Sequence, residues 1–283
     1  MIRETARAKI NLDLHVLGRR PDGRHDLDSI TVFTALGDDV TFEPAAEYRL
    51  QVEGPFAEGL VAEADNLVTR ATLALAASLS QAPAVRIGLL KQLPVASGIG
   101  GGSADAAATL RGLQALWGIE APDLHDLAAG LGADVPACLC QRPVRMEGTG
   151  ERLSPLLVPS LPIVLANPGI GVATGRVFAA RRPAEGGPRP QTMPPPTDAA
   201  GFVRWLQAGR NDLAGAAIRL APVIADILAE LEELPGCALA RMSGSGATCF
   251  GLFPTPRAAS AAAMRLATRH PEWWIQATRT LAE

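Results

Sequence analysis

Between residues 94 and 108 the chain reads Pro-Val-Ala-Ser-Gly-Ile-Gly-Gly-Gly-Ser-Ala-Asp-Ala-Ala-Ala, and no other stretch limits the fold as strongly. Four glycines (98, 100, 101 and 102) fall within five positions, and a strong helix former follows from Ser103. Glycine lets a backbone take positive φ and approach a ligand closely. A helix that begins at such a loop presents unpaired N–H donors and the positive end of its dipole. Pro94, Val95, Ala96, Ser97, Gly98, Ile99, Gly100, Gly101, Gly102, Ser103 and Ala104 together therefore predict an anion site, phosphate above all. Spacing excludes two common versions of it. A P-loop needs a lysine after the last glycine, and none follows Gly102; a dinucleotide fingerprint counted from Gly98 meets Ser103 where its third glycine belongs. A plain turn needs only one or two glycines.

The 283 residues allow one large domain or two ordinary ones. Apolar residues make up 48%, which supports a substantial core, but aromatics are only 4%, so Ala, Leu and Val must do most of the packing. A net charge of −3 argues against a nucleic-acid binder that works through a basic surface, yet leaves room for local binding of a phosphorylated small molecule. The first residues lack the apolar centre of a signal peptide, and no run of about 18 apolar residues predicts a membrane span. Cys138, Cys140, Cys237 and Cys249 show no metal-ligand spacing and read as buried free thiols. The expected setting is cytoplasmic, with neither nucleic acid nor membrane as partner.

Along the chain, residues 8 to 16 alternate. Ile10, Leu12, Leu14 and Val16 share one face of a strand, and Lys9, Asn11, Asp13 and His15 share the other, either a solvated edge or a functional side. A Pro21-Asp22-Gly23 turn precedes a strand near 27–36, with further strands near 40–42 and 48–52. Asp65-Asn66 can cap a helix over 67–79, and 85–90 is a strand feeding the glycine loop. Helices follow over 103–117 and 123–131, after which Pro136 is expected to break the run. Residues 153–162 can join two domains, 163–166 form a strand and 174–180 a short helix. Residues 181–198, rich in Pro, Gly and charge, read as an exposed loop. Helices over 201–207, 212–220 and 223–234, a strand over 238–242, a second glycine loop at 243–247, a strand over 248–253, a helix over 256–269 and a strand over 274–278 complete the chain. The mixture lacks strict strand–helix alternation, so the class is α+β.

Lys9 and Asn11, the Pro94 loop with Ser103, Asp134, and the Ser243 loop are far apart in sequence. Together they resemble the signature regions of the GHMP small-molecule kinases. The N-terminal Ala8-Lys-Ile-Asn-Leu-x-Leu-x-Val16, followed by Arg20-x-Asp22-Gly23-x-His25, resembles the branch of that family acting in the non-mevalonate isoprenoid pathway. The resemblance spans roughly residues 5 to 253. It implies a two-domain fold, with an ATP-binding and catalytic domain over 1–155 and an α/β-plait-like domain over 156–283. The implied reaction is phosphoryl transfer from ATP, with Mg2+, to a hydroxyl of a cytidine diphosphate methylerythritol, by a monomer or weak homodimer.

By the same resemblance, Asp134 accepts the hydroxyl proton and Lys9 orients that carboxylate and offsets charge on the transferred group. The glycine loop grips the ATP phosphates, with Ser103 near the β/γ phosphates or the metal. Asn66 and Lys91 fall where the family places its adenine pocket, although one reads equally as a helix cap and the other as a surface lysine. Asn11, Arg24, His25, Thr174 and Phe178 are implied on the substrate, with Phe178 against the cytosine. Two positions depart from the family pattern: Arg24 replaces an aromatic that stacks on the base, and Ala104 replaces a second loop serine. A guanidinium plane can also stack on a π-face. His15, His125 and His270 read as structural or exposed, and Trp273-Trp274 as strand packing. The rival readings are another kinase of the family, acting on homoserine, mevalonate or a sugar, and a non-catalytic nucleotide-binding module.

Overall fold

A computed structural model describes residues 1–58, 60, 66–119, 124–182 and 184–282. In chain order its elements are β1 (Ile2–Asn11), β2 (His15–Arg19), β3 (His25–Pro44), β4 (Arg49–Glu53), α1 (Leu67–Ser78), β5 (Val85–Leu90), α2 (Gly101–Trp117), α3 (Leu124–Leu131), α4 (Val135–Cys140), β6 (Val144–Gly148), β7 (Arg152–Pro155), β8 (Pro162–Asn167), α5 (Thr174–Ala180), α6 (Ala199–Gln207), α7 (Ala214–Leu220), α8 (Val223–Glu232), β9 (Leu239–Met242), β10 (Cys249–Leu252), α9 (Pro256–Arg269) and β11 (Trp274–Arg279). The α+β class holds. Asp65 and Asp123, read from the sequence at helix starts, lie outside the described residues.

The chain divides into two compact units, each assembled from non-contiguous segments. One holds residues 1–8, 37–95 and 100–141; the other holds 9–36, 96–99 and 142–283. In the first, β5 pairs antiparallel with the C-terminal half of β3, and β4 adds in parallel on its other side. Helices α1 to α4 pack against one another. In the second, the N-terminal half of β3 pairs antiparallel with β2 and β6, and β6 turns at Gly148–Gly150 into β7. A separate antiparallel sheet runs β11-β8-β10-β9, with α8 and α9 packed on it. Leu14, Val164, Val177, Ile224, Ile227, Phe253 and Leu266 belong to the core there. Aromatics are scarce but well used: Phe33, Phe42, Phe202 and Phe250 are among the largest fully buried side chains, each stabilising by roughly 1.5–3 kcal/mol.

Several expectations are corrected. The strands expected near 27–36 and 40–42 are one strand, β3. A Cβ at Gly37, between the two expected spans, would sit 2.5 Å from the Ala6 carbonyl, so glycine permits close strand approach there. Pro136 does not end structure. It lies in the first turn of α4, where its missing N–H has no partner to lose. Neither face of the 9–15 segment is solvated: Lys9, Asn11, Asp13 and His15 are all 3% exposed or less. Cys140 is exposed and Cys237 half-buried, so only Cys138 and Cys249 are buried thiols. Trp273 stacks on His270 with ring centroids 3.8 Å apart, and Trp274 opens β11.

Candidate functional site

The glycine loop runs from one unit into the other and back, with residues 96–99 in the second unit and 94–95 and 100–104 in the first. In the first unit, Gly100 stands at the N-cap of α2 with φ 65°, and Gly101, Gly102 and Ser103 form the opening turn. The helix thus begins two residues earlier than its composition suggests, and no side chain caps it. Its first N–H groups are therefore left for an anion. Gly102 is exposed, Ser103 half-buried and Ala104 buried, so the position lacking a second serine faces the helix packing.

Beneath this turn lies a buried charge cluster. Lys91 Nζ donates to Asp38 Oδ2 at 2.5 Å and to Asp105 Oδ2 at 2.6 Å, and a Cβ placed on Gly101 would lie 3.2 Å from that nitrogen. Asp38 Oδ1 also accepts the Gln92 and Leu93 N–H groups. The surface reading of Lys91 is thereby overturned: it is 3% exposed. Burial works against its charge, but Asp105 and Asp38 more than compensate and raise its pKa. Burial, opposed by Lys91 and assisted by Asp38, pushes Asp105 up to about 7. Asn66 does cap α1, its side chain accepting the Val68 N–H at 2.9 Å. Asp134 occupies the N-cap position of α4 but makes no capping hydrogen bond with its side chain.

In the second unit the remaining loop residues meet the second glycine loop, backbone against backbone. Gly98 has φ 77°, and a Cβ there would lie 2.5 Å from the Ser243 carbonyl, so no larger residue fits. Ser243 Oγ donates to Gly98 O at 3.0 Å and accepts the Asn11 N–H at 3.1 Å. Thr248 N–H donates to Ser97 O, Lys9 N–H to Ile99 O, and Val172 N–H to Ala96 O. Asn211 donates to the carbonyls of Met242 and Gly244, fixing the second loop from below. Strand β1 therefore delivers Lys9 and Asn11 against both loops.

The residues implied on the substrate fall in this unit too. Thr174 Oγ1 lies 2.9 Å from Ser245 Oγ of the second loop. His25 stacks on Phe178, centroids 4.8 Å apart and planes 23° from parallel. Burial first, then Arg181 and Arg19, hold the His25 pKa below its ordinary value. Arg24 is not part of that stack. Its side chain is 69% exposed and paired with Asp22 at 3.0 Å.

Sequence reasoning missed Arg189. It lies in the 181–198 segment, yet its side chain is only 4% exposed and pairs with both Asp13 and Asp28. Asp13 was visible on the Lys9–Asn11 face; its partner was hidden by loop-like composition. Among the described residues no group of three or more His, Cys, Asp or Glu is placed to hold a metal ion, and no helix is long and apolar enough to cross a membrane.

Comparison with known proteins identifies the family. The GHMP kinases N terminal domain matches residues 66–142, and the GHMP kinases C terminal domain matches 198–272. A Cereibacter sphaeroides protein named 4-diphosphocytidyl-2-C-methyl-D-erythritol kinase is 52% identical over 276 residues, 97% of each chain. A Ruegeria pomeroyi protein of the same name is 50% identical over 281 residues, 98% of each. A crystal structure of 4-(cytidine 5'-diphospho)-2C-methyl-D-erythritol kinase superposes with TM-score 0.81 at 35% identity, covering 99% of this chain and 100% of that one. The homoserine kinase of Cytophaga hutchinsonii shares the fold, with TM-score 0.72 at 18% identity over 99% of this chain and 94% of that one. The chain belongs to the GHMP kinases, a family of phosphotransferases, and within them to the 4-diphosphocytidyl-2-C-methyl-D-erythritol kinases.

Proposed function

We propose that the chain transfers the terminal phosphoryl group of Mg-ATP to a hydroxyl of 4-diphosphocytidyl-2-C-methyl-D-erythritol, in the cytosol, as a step of non-mevalonate isoprenoid synthesis. The observation that carries this reading is the tethering of β1. Lys9 and Asn11 are buried on a strand whose N–H groups bond to one glycine loop at Ile99 and to the other at Ser243.

Phosphoryl transfer passes through a loose transition state, so positioning and charge stabilisation supply most of the rate. The uncapped start of α2 at Gly100–Ser103 takes the triphosphate, with Pro94–Ile99 as its approach and Asn66 and Lys91 supporting that end of the first unit. Lys91 belongs to the adenine end of that site, its ammonium held in place by Asp38 and Asp105. Asp134 accepts the hydroxyl proton from its place at the N-cap of α4. Lys9 offsets charge on the group in transit. Asn11, His25, Thr174 and Phe178 bind the cytidine substrate, with Arg24 at the rim. Residues 1–155 thus carry nucleotide binding and catalysis, and residues 156–283 complete the substrate side.

Magnesium ordinarily binds kinases through one or two carboxylates and the substrate phosphates rather than an all-protein cage. Ser103 would offer its hydroxyl to the ion from the first turn of α2. When bound, the ion neutralises charge on the phosphate oxygens.

A coupled ADP-release assay tests the reading, with the cytidine diphosphate methylerythritol run beside homoserine and mevalonate. The cytidine substrate is expected to drive ADP release, with at least tenfold higher kcat/KM than either rival. Turnover on another alcohol would reassign the substrate, and ATP binding without turnover on any would reduce the chain to a nucleotide-binding module.

A further inference from the structure

Arg189 stands in a Pro- and Gly-rich segment with no regular structure, yet its side chain is only 4% exposed. It makes four hydrogen bonds: Nε and Nη2 to the two oxygens of Asp28 at 3.1 and 2.9 Å, Nη2 to Asp13 Oδ1 at 3.0 Å, and Nη1 to Asp13 Oδ2. Trp205 lies against the guanidinium, 5.5 Å from ring centroid to Cζ, and its Nε1–H donates to the Thr192 carbonyl. Gly187 N–H donates to the Val16 carbonyl at 3.0 Å. The segment is therefore strapped down at several points, and the strap ends on Asp13, two residues from Asn11.

From Asp13 a hydrogen-bond relay leads to the substrate side. Asp13 Oδ1 accepts the Ile30 N–H at 2.8 Å, which fixes the 13–14 backbone against β3. The Asp13 main-chain carbonyl accepts the Ser29 hydroxyl proton at 2.6 Å. Because that proton is spent, Ser29 Oγ can only accept from Asn11, and it does so from Nδ2 at 2.8 Å. The other Nδ2 hydrogen goes to Thr31 Oγ1 at 3.2 Å. An amide side chain could otherwise sit either way round. Here the relay leaves Asn11 Oδ1 as the acceptor that no donor meets. That oxygen is buried, accepts nothing among the described residues, and faces Gly244 of the second glycine loop, whose added Cβ would lie 3.4 Å away. A buried unsatisfied acceptor is costly unless a ligand donor meets it.

We propose that Arg189 is a positioning residue for the acceptor substrate: by clamping Asp13 it holds the Asp13–Ser29 relay that turns Asn11 Oδ1 toward a substrate hydroxyl. This rests on the kinase reading given above. It assigns to the 184–198 strap a part in substrate recognition that its exposed, loop-like composition conceals.

The test is steady-state kinetics on the full-length enzyme, with ATP and the cytidine substrate varied separately, for wild type, Arg189→Met, Arg189→Lys and Ser29→Ala. Arg189→Met is expected to raise KM for the cytidine substrate about tenfold or more, the worth of roughly one aligned hydrogen bond. KM for ATP should stay within about twofold. Arg189→Lys should recover only part of the loss, because an ammonium cannot span two carboxylates as a planar fork does. Ser29→Ala leaves Arg189 and both carboxylates in place, so it reads the relay even if Arg189→Met does not fold. It should raise KM for the cytidine substrate several-fold, again sparing ATP. A purely structural tie would lower thermal stability and leave both KM values of the folded enzyme unchanged, and that result would overturn the proposal. An inactive wild type on the cytidine substrate would instead refute the kinase reading, so the two failures are distinct.

Discussion

Two buried charge clusters, one in each compact unit, use the same side-chain chemistry and reach opposite electrical states. In one, a single ammonium, Lys91, is shared by Asp38 and Asp105. In the other, two guanidiniums, Arg189 and Arg145, serve Asp13 and Asp28, and His15 Nε2 lies 3.6 Å from Asp13. Burial pushes Asp105, Asp13 and Asp28 upward. Where one cation faces two acids, burial prevails and Asp105 rises to about 7. Where cations match acids, burial loses: Asp13 falls below its ordinary value, and Arg145 and Arg189 hold Asp28 down at about 2. Compensation, not depth, decides whether a buried carboxylate keeps its proton.

The largest way to break the comparison is Lys91→Met. It leaves two carboxylates buried with no cation, and is expected to remove about 3–5 kcal/mol from unfolding stability in urea at pH 7.5. Arg189→Met should cost less stability, because Arg145 still pairs with Asp28 through two hydrogen bonds of 3.0 and 2.9 Å. A larger loss from Arg189→Met than from Lys91→Met would reverse the ranking.

The next effect is the opposite pH signature of the two clusters. Asp105, raised on folding, binds a proton more tightly in the native state than in the unfolded chain. Its contribution is therefore present below about pH 4 and is lost as pH rises toward 7, at a slope of at most about 1.4 kcal/mol per pH unit. Asp28 is depressed on folding, so its contribution is present above about pH 4 and is lost as pH falls toward 2. Denaturation profiles from pH 3 to 8 should show Asp105→Asn flattening the neutral side and Asp28→Asn flattening the acid side. If either substitution flattens the other's side, the assignment of charge states is wrong.

Smallest is the titration of His25. Its midpoint by proton NMR should lie below 6.5, since burial and the nearby Arg181 and Arg19 disfavour its charge. A midpoint above 6.5 would place a carboxylate beside the ring instead.

Much of this was legible in the sequence, for reasons that also explain what was not. Strand β5 and helices α5 and α9 match their expected spans because period and caps act locally; Thr255, for instance, caps α9 by accepting the Ala258 N–H. The glycine loops were legible because Gly98 and Gly244 lie where a Cβ would collide with backbone. The hidden parts depend on tertiary partners. Nothing in the sequence singled out Asp38, whose carboxylate meets Lys91 and the Gln92 and Leu93 amides only in the fold. Arg189 looked solvated because nothing near it in sequence announces Asp13, 176 residues away. Arg24 looked placed to stack on a base, but its near neighbour Asp22 claims it, and His25 takes the position against Phe178.

Asp134→Asn tests the kinase assignment most directly. With ATP and the cytidine substrate both saturating, kcat should fall roughly 10²–10⁴-fold, the usual scale for a general base, while equilibrium binding of both ligands stays within about twofold of wild type. A variant that binds both and turns over at the wild-type rate would contradict the role given to Asp134.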